Sequence, residues 1–223
     1  MGKIDKPKKA VVKKFEKYST CNISDALDRL NLKSGIWGIR SFYDCEKIVG
    51  TALTMRLTAE GMTKNKSHIG ADVIELGSEG DIIVIDNAGR LDQNCWGGIL
   101  SVAAIQKGIE GVIIDGAFRD VDEVKELDYP IYARGVIPRT ARGRFIQESY
   151  NKIIQCGGVQ VRPGDVIMAD ENGVVVVPKE KVEEVLEVAK ELLQKEKYIM
   201  NQLKKGVPFK EVDREVDYNK MIE

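Results

Sequence analysis

Runs of apolar residues alternate with charged stretches along this chain, and their spacing shifts from helical to strand-like and back. In KKAVVKKFEKYS (Lys8–Ser19) the residues Val11, Val12, Phe15 and Tyr18 recur at helical spacing. NISDALDRL (Asn22–Leu30) reads as a second helix, with Asn22 or Ser24 available as its cap. KIVGTALTMRL (Lys47–Leu57) is rich in Val, Ile and Thr and predicts a strand, with Gly50 at a bend or bulge. SHIGADVIEL (Ser67–Leu76) predicts a short helix. Then come a strand at Ile82–Asp86, a helix at Asn94–Gly108, a strand at Gly111–Asp115, a helix at Arg119–Leu127 and a strand at Tyr129–Gly135. Asn94 or a neighbour caps the first of these helices, and Gly108 closes it. Strands joined by helical crossovers make a parallel, right-handed βαβαβ unit.

Beyond it the pattern changes. Gly157–Glu180 holds three short strands separated by RPGD and DENG, both turn sequences, and predicts an antiparallel meander. GDIIVID and GDVIMAD, starting at Gly80 and Gly164, resemble each other, either as a weak internal repeat or as one turn-strand solution used twice. Lys179–Gly206 is a long amphipathic helix with Val182, Val185, Leu186, Ala189, Leu192, Leu193 and Ile199 on one face. That face packs on the protein's own sheet or serves a subunit interface. The tail from Val207 to Glu223 is charged and predicts no element.

Composition narrows the function classes. Hydrophobic residues make up 43% and charged residues 31%, a globular balance, and the formal net charge of −1 gives no overall case for nucleic-acid binding. The chain reads as one domain over residues 1–223, with helical extensions at about 1–30 and about 179–223. No run is long enough to span a bilayer, and the lysine-rich start lacks a signal-peptide core, so a cytoplasmic location is expected. Cys21, Cys45, Cys95 and Cys156 form no C-x-x-C motif and read as reduced, mostly buried thiols. With His68 as the only histidine, a metal site must be built from oxygen ligands, which favours Mg²⁺ or Mn²⁺ over Zn²⁺.

Topology picks out the candidate chemistry. Ligands of open α/β sheets sit beyond the carboxyl ends of the parallel strands, near helix N-termini. Two loops are placed there, NAGRLDQNCWGGIL and GAFRD. Gly97 and Gly98 let backbone N–H groups approach an anion closely. Arg119 offers a planar fork for a carboxylate or enolate-like oxygen pair, and Asp120 a hard oxygen for a divalent cation. A plainer reading stands beside this one: an acid in a first helical turn complements the macrodipole, and an arginine there is commonly solvated. Asp115, before Gly116, reads as a turn former. Glu123, at i+4 from Arg119, reads as a steadying partner for its guanidinium. His68 reads as a helix-surface or satisfied polar residue rather than a base. Trp96 either walls a pocket or sits in the core. No GxGxxG or P-loop pattern supports a nucleotide cofactor.

WGGILSVAAIQKGIEGVIIDGAFRDVDEV, YPIYARG and CGGVQVRPGDVIMADENGVVVVP, in that order, resemble the RraA-like family, and STCNISDALDRL is similar to its opening helix. That family includes 4-hydroxy-4-methyl-2-oxoglutarate and 4-carboxy-4-hydroxy-2-oxoadipate aldolases and the regulator of ribonuclease E activity A. The resemblance implies an α/β sandwich of the swivelling β/β/α type, assembled as a homotrimer or homohexamer. It implies a metal-dependent class II pyruvate aldolase, with oxaloacetate decarboxylation as a related activity. Arg119 then binds substrate, Asp120 ligates Mg²⁺ (or Mn²⁺), and Gly97, Gly98, Ile99 and Leu100 hold the substrate's carboxylate through their backbone. The partner expected is a small 2-oxo acid, with neither nucleic acid nor membrane. One departure stands out: aldolases of the family often carry an acid twenty-one positions before the arginine, and here that position is Gly98. The alternative reading is a non-enzymatic regulator that binds a ribonuclease. A methyltransferase, an old label in the family, ranks last because no glycine-rich nucleotide loop is present.

Overall fold

A computed structural model describes residues 4–33, 35–63 and 68–216. The N-terminal segment forms a short helix, α1 (Lys9–Val12), a 3₁₀ turn at Lys13–Lys17, and α2 (Thr20–Arg29). The cap of α2 differs from expectation. It is Ser19, whose side chain accepts the Asn22 N–H at 3.2 Å while Asn22 Oδ1 accepts the Ser19 N–H at 3.1 Å. The reciprocal pair satisfies two orphan donors and starts the helix two residues earlier than Asn22.

The middle of the chain alternates strand and helix. In order come β1 (Arg40–Ser41), β2 (Ile48–Ala59), α3 (Ala71–Leu76), β3 (Asp81–Asn94), α4 (Gly98–Gln106), β4 (Gly111–Phe118), α5 (Val121–Glu126) and β5 (Ile131–Val136). Ser67, the first residue of the helix expected before β3, lies outside the described residues. Strands β2 to β5 are parallel neighbours, so the predicted βαβαβ unit is present and gains β2 as a further parallel strand. Both of its faces are covered. Ile83, Ile85, Val112, Ile114 and Ile131 pack with α3, α4 and α5, while Ile82, Val84, Ile113 and Tyr132 point the other way into a second core. Burial on both sides explains why these strands read as continuous apolar runs without alternation.

The remaining strands are β6 (Phe145–Tyr150), β7 (Ile154–Cys156), β8 (Val159–Val161), β9 (Val166–Asp170) and β10 (Gly173–Val177). The sheet runs β1-β5-β4-β3-β2-β9-β10, with β6 on the far part of β2. The predicted meander is therefore split. β9 and β10 form an antiparallel hairpin in the main sheet, whereas β8 pairs with β7 in a separate two-stranded sheet. That small sheet lies over the second core through Ile154, Cys156, Val159 and Val161. The layers are hairpin, sheet and helices, which is the β/β/α arrangement.

Gly50 makes no bulge. It stays in register with Ile167, and a Cβ there would lie 2.6 Å from the Gly80 carbonyl oxygen, so the glycine permits close approach of two strands. The two GD sequences are one turn built twice. At both, a left-handed glycine (Gly80, φ 86°; Gly164, φ 89°) precedes an aspartate whose carboxylate accepts the backbone N–H three residues earlier, from Ser78 at 3.0 Å and from Arg162 at 2.8 Å.

The C-terminal region forms α6 (Val182–Lys204) and α7 (Phe209–Val216). Val182, Val185, Leu186, Ala189, Leu192 and Ile199 are buried against α2 and one face of the β9–β10 hairpin, so this stripe packs within the chain. Helix α7, with Val212 buried, stands where no element was expected; residues 217–223 lie outside the description. Among the described residues no helix is long and apolar enough to cross a membrane.

Candidate active site

The site begins with how β4 ends. The strand runs through Asp115 and Gly116 to Phe118, three residues further than the apolar pattern suggests, so Asp115 forms no turn. Arg119 and Asp120 then occupy the junction, and α5 starts only at Val121. Asp120 adopts left-handed backbone, φ 60°, an uncommon conformation for a residue with a side chain. Its carboxylate does not cap its own helix. It reaches across to α4, where Oδ2 accepts the Gly98 N–H at 3.1 Å, and Arg119 Nε donates to the same oxygen at 3.3 Å. The Arg119 N–H also donates to the Trp96 carbonyl at 3.1 Å, which latches the two loops together. The two loops that topology selected therefore do meet, and the simple dipole reading of Asp120 on α5 does not hold.

The glycines make this approach possible. A Cβ at Gly97 would lie 2.5 Å from Asp120 Oδ2. A Cβ at Gly98 would collide with the carboxylate of Glu123. Glu123 thus sits over Gly98 rather than pairing with Arg119, whose ion pair is with Asp120. Spacing alone suggested the wrong partner because the i+4 rule ignores the neighbouring helix.

Around this junction lies a cavity of about 400 Å³, lined by Gly97, Ile99, Leu100, Arg119 and Asp120. Gly98 faces the same junction through its N–H. Leu100 is buried in the core, whereas Ile99 is 76% exposed beside the cavity. Trp96 answers both of its readings: it is fully buried and also lines the cavity, its Nε1–H donating to Ser101 Oγ at 3.0 Å. Cys95 lines it too, but burial, with a contribution from the Asp115 charge, pushes its thiol up to about 12, so it stays protonated at neutral pH.

Sequence reading missed the opposite wall. Glu60, His68 and the Thr140–Gly143 segment complete the cavity, with Arg142 exposed on its rim. Asn94, expected as a helix cap, instead joins the walls. Its Nδ2 donates to the Trp96 carbonyl at 3.1 Å and its Oδ1 accepts the Ala141 N–H at 3.0 Å. The helix cap position is Gly97, because β3 continues to Asn94 through a left-handed Ala88–Gly89 pair (φ 52° and 69°). The RTARGR loop carries no periodic signal that would have marked it.

Asp115 faces the other side of the sheet. It pairs with Arg134 and accepts the Gly157 N–H at 2.8 Å, which pins the β7–β8 hairpin. Arg134 in turn lies 5.5 Å from the Trp37 ring centroid.

Among the described residues no group of three or more His, Cys, Asp or Glu side chains forms a ready metal cage. Asp120 and Glu123 offer carboxylates over adjacent glycines. Mg²⁺ keeps several waters and needs only one or two protein carboxylates plus ligand oxygens, so this donor set suits it.

The α/β sheet thus delivers an arginine and a carboxylate to a glycine-opened helix start. The sequence profile of the RraA-like family (Aldolase/RraA) matches residues 20–176, and the chain belongs to that family. It is 36% identical to a "Putative 4-hydroxy-4-methyl-2-oxoglutarate aldolase" of Halalkalibacterium halodurans, over 80% of this chain and 81% of that one. It is 31% identical to the protein DlpA of Legionella pneumophila over 77% of this chain, but spans only 28% of DlpA's length. The structure of Streptomyces coelicolor RraAS2, described as an unusual member of the RNase ES inhibitor RraA family, superposes with a TM-score of 0.80 at 28% identity, covering 87% of this chain and 97% of that one.

Proposed function

We propose that the protein is a divalent-metal-dependent carbon–carbon lyase that releases pyruvate from 2-oxo acids of the 4-hydroxy-4-methyl-2-oxoglutarate type and decarboxylates oxaloacetate. The observation that carries this reading is the convergence of Arg119 and Asp120 on the Gly97–Gly98 helix start inside one cavity. Arg119 spends Nε on Asp120, which leaves its terminal nitrogens for a substrate oxyanion. The N–H groups of the first turn of α4 suit the carboxylate next to the keto group. Arg142, on the rim, supplies a cation for a second carboxylate. Asp120 would hold the metal, with the Glu123 carboxylate beside Gly98 as a further oxygen acceptor for its water shell. A divalent cation there would polarise the keto oxygen and offset charge as the enolate develops.

The test is pyruvate release from 4-hydroxy-4-methyl-2-oxoglutarate and from oxaloacetate, with Mg²⁺ and with chelator, for wild type and Asp120→Ala. Release that needs both metal and Asp120 supports the lyase. If neither substrate is turned over, the lyase reading fails. Binding to a ribonuclease, the reading prompted by the RraAS2 description, would then be examined with Arg119→Ala, which should leave surface recognition intact.

A further inference from the structure

The lyase reading leaves one chemical demand unmet. Aldol cleavage needs a group that takes the proton from the 4-hydroxyl, whereas decarboxylation does not. Several titratable groups face the cavity. Arg119 and Arg142 are cations and cannot accept a proton. Cys95 remains a thiol because burial pushes it up to about 12. Asp120 is engaged by the Gly98 N–H and by Arg119. Glu60 and His68 remain. His68 is the single histidine of the chain, it is exposed on the cavity wall, and its Nδ1 lies 2.8 Å from the Ile69 carbonyl oxygen. A carbonyl only accepts, so Nδ1 carries the proton. The neutral ring therefore keeps its lone pair on Nε2. The backbone thus sets the tautomer that a general base requires.

We propose that His68 is the catalytic acid–base residue of the aldol reaction. This rests on the lyase reading of the same cavity. Nε2 of His68 takes the proton of the C4 hydroxyl. The C3–C4 bond breaks, its electron pair moving to the keto group as the pyruvate enolate forms, while C4 becomes a carbonyl. The same proton then passes from the imidazolium to C3, giving pyruvate and a neutral ring. No proton is gained or lost over the cycle. Oxaloacetate loses CO₂ to reach the same enolate without a base, and solvent can deliver the final proton.

Two substrates in one enzyme provide the internal control. In the metal-loaded protein, His68→Gln should lower kcat for the 4-hydroxy-2-oxo acid by about 10²- to 10⁴-fold. Oxaloacetate decarboxylation should stay within a few-fold of wild type. Added imidazole should restore part of the aldol rate in His68→Ala, and it should do nothing for the decarboxylation. Equal loss of both activities would mean a structural role and would overturn the proposal, as would a His68→Gln variant that keeps the wild-type aldol rate. A Glu60→Gln variant that loses the aldol step selectively while His68→Gln keeps it would assign the base to Glu60 instead. A wild type inert toward both substrates overturns the lyase reading first, and that result appears before any His68 variant is made.

Discussion

Asp120 Oδ2 accepts the backbone N–H of Gly98 at 3.1 Å, so a carboxylate at the start of α5 caps the start of the neighbouring helix α4. The two helix starts are joined by one charged hydrogen bond, and the candidate substrate site lies beside it. Charge and shape can be separated at this position. Asp120→Asn keeps an acceptor oxygen for Gly98 but removes the negative charge. Pyruvate release should drop by roughly 10²- to 10³-fold, and metal should no longer protect against thermal unfolding, while the metal-free melting temperature should stay close to wild type. A large drop in the metal-free melting temperature would show that the charge is structural.

The collision between a Cβ at Gly98 and the Glu123 carboxylate yields a reciprocal test. Gly98→Asp alone should destabilise the junction and lower activity, because two carboxylates would compete for one space. Glu123→Ala alone should also lower activity. The double variant Gly98→Asp, Glu123→Ala moves the carboxylate from one helix to the other and should recover activity relative to both single variants. Strict additivity of the losses, measured as kcat/KM, would show that the two positions do not share a function.

Asn94 ties the two walls of the cavity. Asn94→Ala strands the Ala141 N–H and removes one of the two donors to the Trp96 carbonyl, with a cost of about 1–3 kcal/mol. The rim loop bearing Arg142 should lose its registration, so KM should rise more than kcat falls. Steady-state kinetics and chemical denaturation check the two effects separately.

On the opposite face, Arg134 neutralises Asp115, whose side chain is 8% exposed. Removing one partner of a buried pair strands the other, so Arg134→Ala should cost about 3–5 kcal/mol. Activity per folded molecule should change little, because Asp115 is turned away from the Arg119 cavity. A selective loss of kcat with unchanged stability would contradict this division of labour.

Asp170 links stability to acid. Burial alone would push its carboxyl up, but hydrogen bonds from Thr20 Oγ1 and N–H, and from Asn172, outweigh it and hold the carboxyl below its ordinary value. A depressed folded value stabilises above the unfolded value and is lost as pH falls through the folded one. Wild type should therefore lose stability below about pH 4, and Asp170→Asn should flatten that part of the curve, as read by denaturation midpoints between pH 2 and pH 7.

How much of this was legible in the sequence follows from which forces are local. The βαβαβ unit could be read because Ile82–Ile85 and Val112–Ile114 are buried on both faces and show it as unbroken apolar runs. The pairing of Arg119-Asp120 with Gly97-Gly98 could be inferred because topology places both at strand ends. Glu123 over Gly98, Asn94 between Trp96 and Ala141, and the detachment of β8 from β9 could not. Each depends on which distant backbone arrives alongside, and no periodicity records that. The N-cap of α2 was readable in principle, since Ser19 and Asn22 stand three apart, but Asn22 and Ser24 offered equally good local chemistry.

The twin left-handed turns at Gly80 and Gly164 bear on how the chain finds its structure. Thr51 N–H donates to the Gly80 carbonyl and the neighbouring Ala52 N–H to the Asp165 carbonyl, so β2 is stitched to both turns at adjacent residues. One turn follows it soon in the chain, and the other arrives only after β3 to β8 have been made. The seam where parallel and antiparallel pairing meet cannot close until that late segment has been made. A nascent chain therefore carries an incompletely paired β2 until that segment emerges, and the second turn acts as the clasp that ends this exposure.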